Sequence, residues 1–274
     1  MARAFLERKH LDEARLEAEL LVAHALELDR LGLFMQLDRP LSPGEIDRAR
    51  DLLVRRGRRE PVAYIIGRRE FYGRDFEVAP GVLIPRPETE LLVDLGREWL
   101  AGRAADEELR IADLGTGSGC LAVSLALEIP KSSVFAVDLS ADAVTQARHN
   151  AERLGARVRI EVGDGLEVLR AHGPFDLFVS NPPYVTPEEG SGLAPEVRDY
   201  EPELALYAPG GDPDYWVRSL IEASPTILAA GGALLVELGH EQGPRALELA
   251  HAAGLEARLH EDLARIPRVL GVTV

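Results

Sequence analysis

Between residues 109 and 238, five short apolar runs alternate with helical stretches, and this alternation leaves few architectures open. The strand-like runs are 109–114, 133–137, 157–162, 175–180 and 233–238, and the helical runs between them include 120–128, 141–154 and 214–229. Ser140 stands where the second of these helices needs an N-cap, and Gly155 stands where it must end. Two further strand-like runs, 255–259 and 269–274, come after Gly254. Strands that alternate with helices pair in parallel, because each helix carries the chain back over a face of the sheet. The prediction is therefore an α/β fold, with a parallel sheet covered by helices on both faces. In such sheets, ligands sit at the carboxyl ends of the strands.

The first part of the chain has a different period. Leu11, Ala14, Ala18, Leu21, Ala25 and Leu28 recur at three- and four-residue steps, which is helical spacing. Ser42, Pro43 and Glu45 form an N-cap, a first-turn proline and a capping-box acid, and they open a helix predicted over 43–56. From Phe71 to Val78, β-forming residues flank Gly73, as in a hairpin, and Pro80, Pro85 and Pro87 punctuate the segment after it. We expect a small N-terminal helical domain over 1–70, a connector with a β-hairpin over 71–87, and the α/β domain over 88–274.

Composition excludes some functions. The formal net charge is −15, so binding to DNA or RNA would need a local basic patch to gain from counterion release. Arg55-Arg56-Gly57-Arg58-Arg59 is basic, but a solvated helix end accounts for it more simply. Cys120 is the only cysteine, which precludes an intrachain disulfide. No run approaches the length of a membrane span, and residues 1–12 lack the apolar core of a signal peptide, so a cytoplasmic protein is expected. The histidines are scattered away from cysteine and carboxylate partners, so no metal site is expected.

Two motifs carry chemistry. In the first, the strand Ile111-Ala112-Asp113-Leu114 runs into Gly115-Thr116-Gly117-Ser118-Gly119 and then a helix. Glycines let backbone approach a ligand, and a helix N-terminus offers free N–H groups. The dinucleotide pattern G-x-G-x-x-G fails, because Cys120 or Ala122 stands where its third glycine should be. Asp138 ends the next strand, where a carboxylate can accept both ribose hydroxyls of a nucleoside. Asp164 comes after the third strand, placed to accept from an adenine amino group or simply to make a turn. Taken in this order the features point to a nucleoside site, and the missing glycine favours S-adenosylmethionine over NAD.

The second motif is Asn181-Pro182-Pro183-Tyr184, at the end of the run 175–180. Two successive prolines remove two N–H donors and stiffen the chain, and Asn181 before them is held extended. The Asn181 side chain and the carbonyls of Asn181 and Pro182 can then accept hydrogen bonds from a planar –NH2 group, with Tyr184 covering its face.

These motifs resemble the class I S-adenosylmethionine-dependent methyltransferases. Further stretches narrow the likeness: Arg59 to Gly67, Glu70-Phe71-Tyr72-Gly73, Leu83 to Glu90, and Val197 to Pro202. With the N-terminal stretch Leu37 to Ser42, they are similar to the peptide chain release factor glutamine-N5 methyltransferases, the HemK-type proteins. The resemblance implies a Rossmann-like methyltransferase sheet behind a small N-terminal helical domain that docks the substrate. It implies that Gly115, Thr116, Gly117, Ser118 and Gly119 wrap the methionine part of the cofactor, that Asp138 holds the ribose, and that Asp164 and Gly165 border the adenine. Asn181 would touch both cofactor and substrate. Asn181, Pro182, Pro183 and Tyr184 would bind the glutamine of the Gly-Gly-Gln motif of class 1 release factors, with Asn181 and Pro182 as the catalytic pair. S-adenosylhomocysteine would be the product. In relatives the residue after Asp164 is often a large aromatic; Gly165 offers no ring to stack on adenine.

The main alternative is an adenine-N6 or other nucleic-acid amino methyltransferase, since an exocyclic amino group poses the same –NH2 problem. The acidic charge and the small helical extra domain argue against it, and no DNA or membrane partner is expected. A non-catalytic nucleotide sensor and a dehydrogenase rank lower. Among other residues, Arg86 reads as a salt-bridge partner, Asp113 as a contact to the glycine loop or to the methionine amine, and Cys120 as a small buried residue. Glu237 and His240 read as local hydrogen-bond partners near a strand end.

Overall fold

The computed structural model describes residues 1–102 and 108–274, and the chain divides into two units. The smaller comprises Met1–Arg68 together with Ala194–Tyr200. Its helices are α1 (Ala2–Glu7), α2 (Ala14–Ala25), α3 (Arg30–Met35), α4 (Pro43–Gly57), α5 (Val62–Ile66) and, from the later segment, α11 (Pro195–Arg198). The capping box forms as the sequence predicts: the Ser42 hydroxyl accepts from the Glu45 N–H, and Glu45 accepts from the Ser42 N–H at 2.8 Å. Leu6, Leu11, Ala14 and Ala18 make the core, where small alanines let the helices approach closely.

One cation is buried in this unit. Arg56, 3% exposed, donates through Nε and Nη2 to the Glu17 carboxylate at 2.9 Å each. It also donates to Glu196 at 2.8 Å and to the Glu60 carbonyl. Arg59 adds a second cation 3.7 Å from Glu196. The Tyr200 hydroxyl donates to the Arg58 carbonyl.

The larger unit comprises Arg69–Leu193 and Glu201–Val274. A hairpin of β1 (Arg68–Phe71) and β2 (Arg74–Glu77) turns through Tyr72 and Gly73, both at positive φ, as a type I′ turn requires. Phe71 and Phe76 meet edge to face at 6.0 Å and are buried in the same core as the main sheet. Asn150 fastens the hairpin: its side chain accepts from the Glu77 N–H and donates to the carbonyls of Glu77 and Ser118.

The main sheet runs β5-β4-β3-β6-β7-β9-β8. In chain order its strands are β3 (Leu109–Leu114), β4 (Ser132–Asp138), β5 (Val158–Val162), β6 (Phe175–Ser180), β7 (Leu228–Glu237), β8 (Glu256–Glu261) and β9 (Pro267–Thr273). The helices are α6 (Glu90–Ala101), α7 (Cys120–Glu128), α8 (Ala141–Leu154), α9 (Gly165–His172), α10 (Pro187–Gly190), α12 (Glu203–Leu206), α13 (Tyr215–Ile227) and α14 (Gly243–Ala252). The expected parallel sheet needs one correction. β9 pairs antiparallel with both β7 and β8, because the five residues between β8 and β9 are too few for a crossover.

Successive strand residues feed opposite cores. Ile111, Leu177 and Leu235 pack in one apolar cluster, and Ala112, Phe178 and Leu234 pack in the other. β3 lies between β4 and β6, so the chain order reverses there and a crevice opens beyond the strand ends. No helix among the described residues is long and apolar enough to cross a membrane.

Candidate active site

Strand register assembles the site. Leu114 pairs with Val137 on one side and Ser180 on the other, and Asp138 pairs with Val162. The glycine loop, Asp138, the Gly163-Asp164-Gly165 turn and Asn181 therefore emerge in one row at the carboxyl edge of the sheet. All of them but Gly119 and Gly163 border a cavity of about 330 Å³ lined wholly by residues of the larger unit, within the usual range for small-molecule sites.

The loop after β3 is a run of left-handed backbone. Gly115, Gly117 and Gly119 have φ of 74°, 56° and 83°, conformations that side chains disfavour. At Gly119 a Cβ would also stand 3.0 Å from the Ala147 Cβ, so glycine is required twice over. The Gly115 and Thr116 N–H groups donate to the Val137 carbonyl, and the Gly117 N–H donates to Asp138 at 2.9 Å. The other Asp138 oxygen accepts from the Ser140 N–H. Two backbone donors thus aim this carboxylate and leave lone pairs for a ligand diol. Beside it, Leu139 is largely exposed in the cavity wall. No motif in the sequence singles it out, and only the exposure of an apolar side chain in a cavity marks it.

Asp113 is fully buried at the end of β3. One oxygen accepts from the Thr116 hydroxyl at 2.7 Å, and the other has no hydrogen-bond partner among the described residues. Burial, reinforced by the charge of Asp138, pushes its carboxyl up to about 7. Burial likewise pushes the Cys120 thiol up to about 12, which makes it a poor nucleophile.

Asp164 precedes α9 without capping it through its side chain. Gly165 lies against Leu114, whose side chain a Cβ would meet at 2.9 Å. Both line the cavity. The opposite wall is the 81–86 segment, held by Glu201. This buried carboxylate accepts from the Ile84 N–H at 3.0 Å and pairs with Arg86 at 2.5 Å. Arg86 is the salt-bridge partner expected from the sequence.

The Asn-Pro-Pro-Tyr corner comes directly after β6. Asn181, Pro182 and Pro183 line the cavity, whereas Tyr184 does not. The Tyr184 ring packs against Gly239, with a gap of 3.0 Å to where a Cβ would stand. Burial first, and Glu237 second, push its hydroxyl up to about 12. Asn181 Nδ2 donates to the Thr89 hydroxyl oxygen at 3.1 Å, leaving Oδ1 as the free acceptor. Glu237, the last residue of β7, follows Val236, which pairs with Ser180, the residue before Asn181. Glu237 is buried, with Oε2 unpartnered among the described residues, and burial pushes its carboxyl up to about 7. Thr89 lies in the 83–90 stretch that narrows the resemblance, but the sequence by itself assigns it no role. Among the described residues, no cluster of three or more His, Cys, Asp or Glu side chains is placed to hold a metal ion.

Comparison with known proteins identifies the family. Residues 1–67 match the family model "PrmC N-terminal domain", and residues 89–194 match "Methyltransferase small domain". A release factor glutamine methyltransferase of Geobacter sulfurreducens is 43% identical over 270 residues, spanning 98% of this chain and 93% of its own. One from Bordetella pertussis is 44% identical over 258 residues, spanning 94% of each. Among solved structures, the hMettl16 catalytic domain in complex with MAT2A 3'UTR hairpin 6 superposes with a TM-score of 0.59 at 16% identity, covering 81% of each chain. A methyltransferase from Pyrococcus furiosus superposes at 0.51 and 19%, covering 74% of this chain and 90% of its own. These last two show the fold alone. Identity above 40% along nearly the full length of both chains settles the assignment: the chain belongs to the release factor glutamine methyltransferase family.

Proposed function

We propose that the protein methylates the side-chain nitrogen N5 of the glutamine in the Gly-Gly-Gln motif of class 1 peptide chain release factors, using S-adenosylmethionine. The observation that carries this reading is the Asn181 corner: a stiff diproline bend, facing the cavity, whose carboxamide oxygen is left free because its nitrogen is engaged by Thr89.

The residues of the cavity fit the cofactor. The Gly115-to-Gly119 loop offers backbone close enough for the methionine part. Asp138 suits a ribose diol and Asp164 an adenine amino group, with Gly165 and Leu139 as apolar borders. Asp113 does not line the cavity and serves the loop by accepting from the Thr116 hydroxyl. When bound, S-adenosylmethionine supplies an electrophilic methyl on a sulfonium.

The work of the protein is positioning. An amide nitrogen is a poor nucleophile, since its lone pair is delocalised into the carbonyl. Asn181 Oδ1 and the Pro182 carbonyl each accept one N–H of the glutamine, which fixes the –NH2 plane and aims the nitrogen. Such alignment is worth about 7–11 kcal/mol of barrier. The same two acceptors stabilise the positive charge that develops on nitrogen, and the proton leaves after methyl transfer. They also select against glutamate, which brings no donor when ionised; sites of this kind reject such analogues by about 10⁴–10⁵.

The N-terminal unit would dock the release factor, since one short loop offers little binding area. Leu31, Met35 and Leu37 are exposed around α3 and supply an apolar surface for it. Leu31→Ser with Met35→Ser should raise KM for intact release factor and leave kcat and cofactor binding unchanged; an unaltered KM would sink the docking role. These substrates are consistent with a cytoplasmic enzyme.

Incubation with tritiated cofactor and purified release factor, followed by mass spectrometry, tests the function. One added methyl on the glutamine of the Gly-Gly-Gln peptide is expected. Label entering DNA and not the release factor would establish the nucleic-acid reading instead.

A further inference from the structure

We propose that Trp216 supplies the aromatic face on which the adenine of the cofactor stacks. The inference rests on the proposed use of S-adenosylmethionine and assigns a residue to its base.

A purine is a flat ring with a large apolar face. Removing that face from water against an aromatic side chain is favourable whatever the edge of the base pairs with. Asp164 and Gly165 stand at the start of α9 and line the cavity, but neither carries a ring. The packing leaves no room for one at 165, where a Cβ would meet the Leu114 side chain at 2.9 Å. A ring must then come from another element.

Among the described residues, two aromatic side chains line the cavity, Tyr207 and Trp216. Tyr207 is committed elsewhere. Its ring and hydroxyl lie against Gly190, where a Cβ would stand 2.6 Å away. It also bridges to Val185, the residue after the Asn-Pro-Pro-Tyr corner. The Val185 N–H donates to the Leu206 carbonyl, and the Ala208 N–H donates to the Val185 carbonyl. Tyr207 therefore belongs to the Asn181 end of the cavity.

Trp216 belongs to the other end. α9 and α13 lead into the parallel strands β6 and β7, so both run from the carboxyl edge of the sheet back to its amino edge. They pack side by side, and Arg170 Nε donates to the Thr226 hydroxyl oxygen. This bond ties the second turn of α9 to the last turn of α13. The first turn of α13, with Trp216, therefore projects past the start of α9 at the sheet edge. Trp216 packs against the apolar cluster that contains Leu114 and Val137, and both of these line the cavity.

The indole N–H of Trp216 has no hydrogen-bond partner among the described residues, although buried indoles ordinarily find one. Phe or Leu would fill the same place without burying an unpaired donor. What tryptophan adds is a two-ring face at the cavity wall. Stacking is indifferent to which base is present, so Trp216 supplies affinity, and the amino-group contact of Asp164 supplies identity.

The test uses the full-length protein and S-adenosylhomocysteine, with binding read by calorimetry. Trp216→Leu should weaken binding about 10- to 100-fold, the usual worth of one stacked base. Trp216→Phe keeps a ring and should stay within a few-fold of wild type. The chain has two tryptophans, so Trp99→Phe leaves Trp216 as the sole indole emitter. In that variant, saturating S-adenosylhomocysteine should quench the emission. 5′-Methylthioadenosine, which keeps the adenine and lacks the amino-acid tail, should quench it too. A Trp216→Leu protein that binds as tightly as wild type, or an emission that neither compound changes, overturns the proposal. Quenching by S-adenosylhomocysteine alone would put the ring at the methionine end and overturn it as well. If wild type binds no S-adenosylhomocysteine, the cofactor reading falls and this inference with it; binding that ignores Trp216 sinks the inference alone.

Discussion

The helical unit and the sheet unit both bury charge, and they treat it differently. In the helical unit, Arg56 is surrounded by acceptors: two oxygens of Glu17, one of Glu196 and the Glu60 carbonyl. In the sheet unit, Asp113 and Glu237 each keep one oxygen without a partner, and burial holds both carboxyls near neutrality. Four hydrogen bonds hold Arg56, and the second Glu196 oxygen, without a hydrogen bond among the described residues, lies 3.7 Å from the Arg59 cation. Charge met by opposite charge in this way is a structural tie. A buried acid with spare acceptor capacity beside a cavity is held ready for something that arrives later. The contrast separates charge that ties a fold together from charge held near a site that has to react.

The largest expected effect lies on the structural side. Arg56→Ala strands two acids and should cost about 3–5 kcal/mol, read as a lower unfolding midpoint in denaturant. Replacing Arg56, Glu17 and Glu196 together by apolar residues of similar size should recover most of that loss. If the single variant is as stable as wild type, Arg56 is no tie and the comparison breaks. Next comes the reactive side. Asn181→Ala should lower kcat by about 10²–10³, by analogy with loss of one oriented group in an oxyanion hole. A rate within a factor of a few of wild type in a steady-state assay would remove the corner from the mechanism.

Gly119→Ala sharpens the comparison, because it strains the cofactor loop without touching a charge. A left-handed φ of 83° and a Cβ 3.0 Å from Ala147 predict a loss of about 1–3 kcal/mol, visible in thermal unfolding, with weaker cofactor binding by calorimetry. The smallest effect is on pH dependence. Glu237 and Asp113 sit at about 7, raised from 4.5 and 3.8. Between those ordinary values and about 7, the folded protein binds more protons than the unfolded chain, so these groups make stability decline as pH rises through that window. Relative to wild type, Glu237→Gln and Asp113→Asn should therefore gain stability at pH 8 over pH 4.5. Parallel stability–pH curves for wild type and variants would show that neither acid is perturbed.

Much of the sheet was legible because local rules agreed with tertiary ones. The strands at 109–114 and 175–180 and the helices at 120–128 and 141–154 form as the alternation predicts. Ser42 and Ser140 cap their helices as expected. The reversal of β9 was not legible, since apolar periodicity carries no strand direction. β7 begins at Leu228, ahead of the expected 233, because its pairing with β6 shifts register near Phe175. The bend after Asn181 was readable from its prolines. The packing of Tyr184 on Gly239 was not, as it depends on a loop 55 residues further along the chain.

By itself the sequence determined the order of elements, the glycines that permit a left-handed loop, and the rigid bend after Asn181. Each of these is a property of a residue and its immediate neighbours. Only the tertiary structure decided that the Asn181 nitrogen would be held by Thr89 and that Asp113 would be left with a spare oxygen. The physical reason is that hydrogen-bond direction and desolvation depend on what lies across the fold, and packing of the turn before α6 against the end of β6 brings together groups separated by 92 residues in the chain.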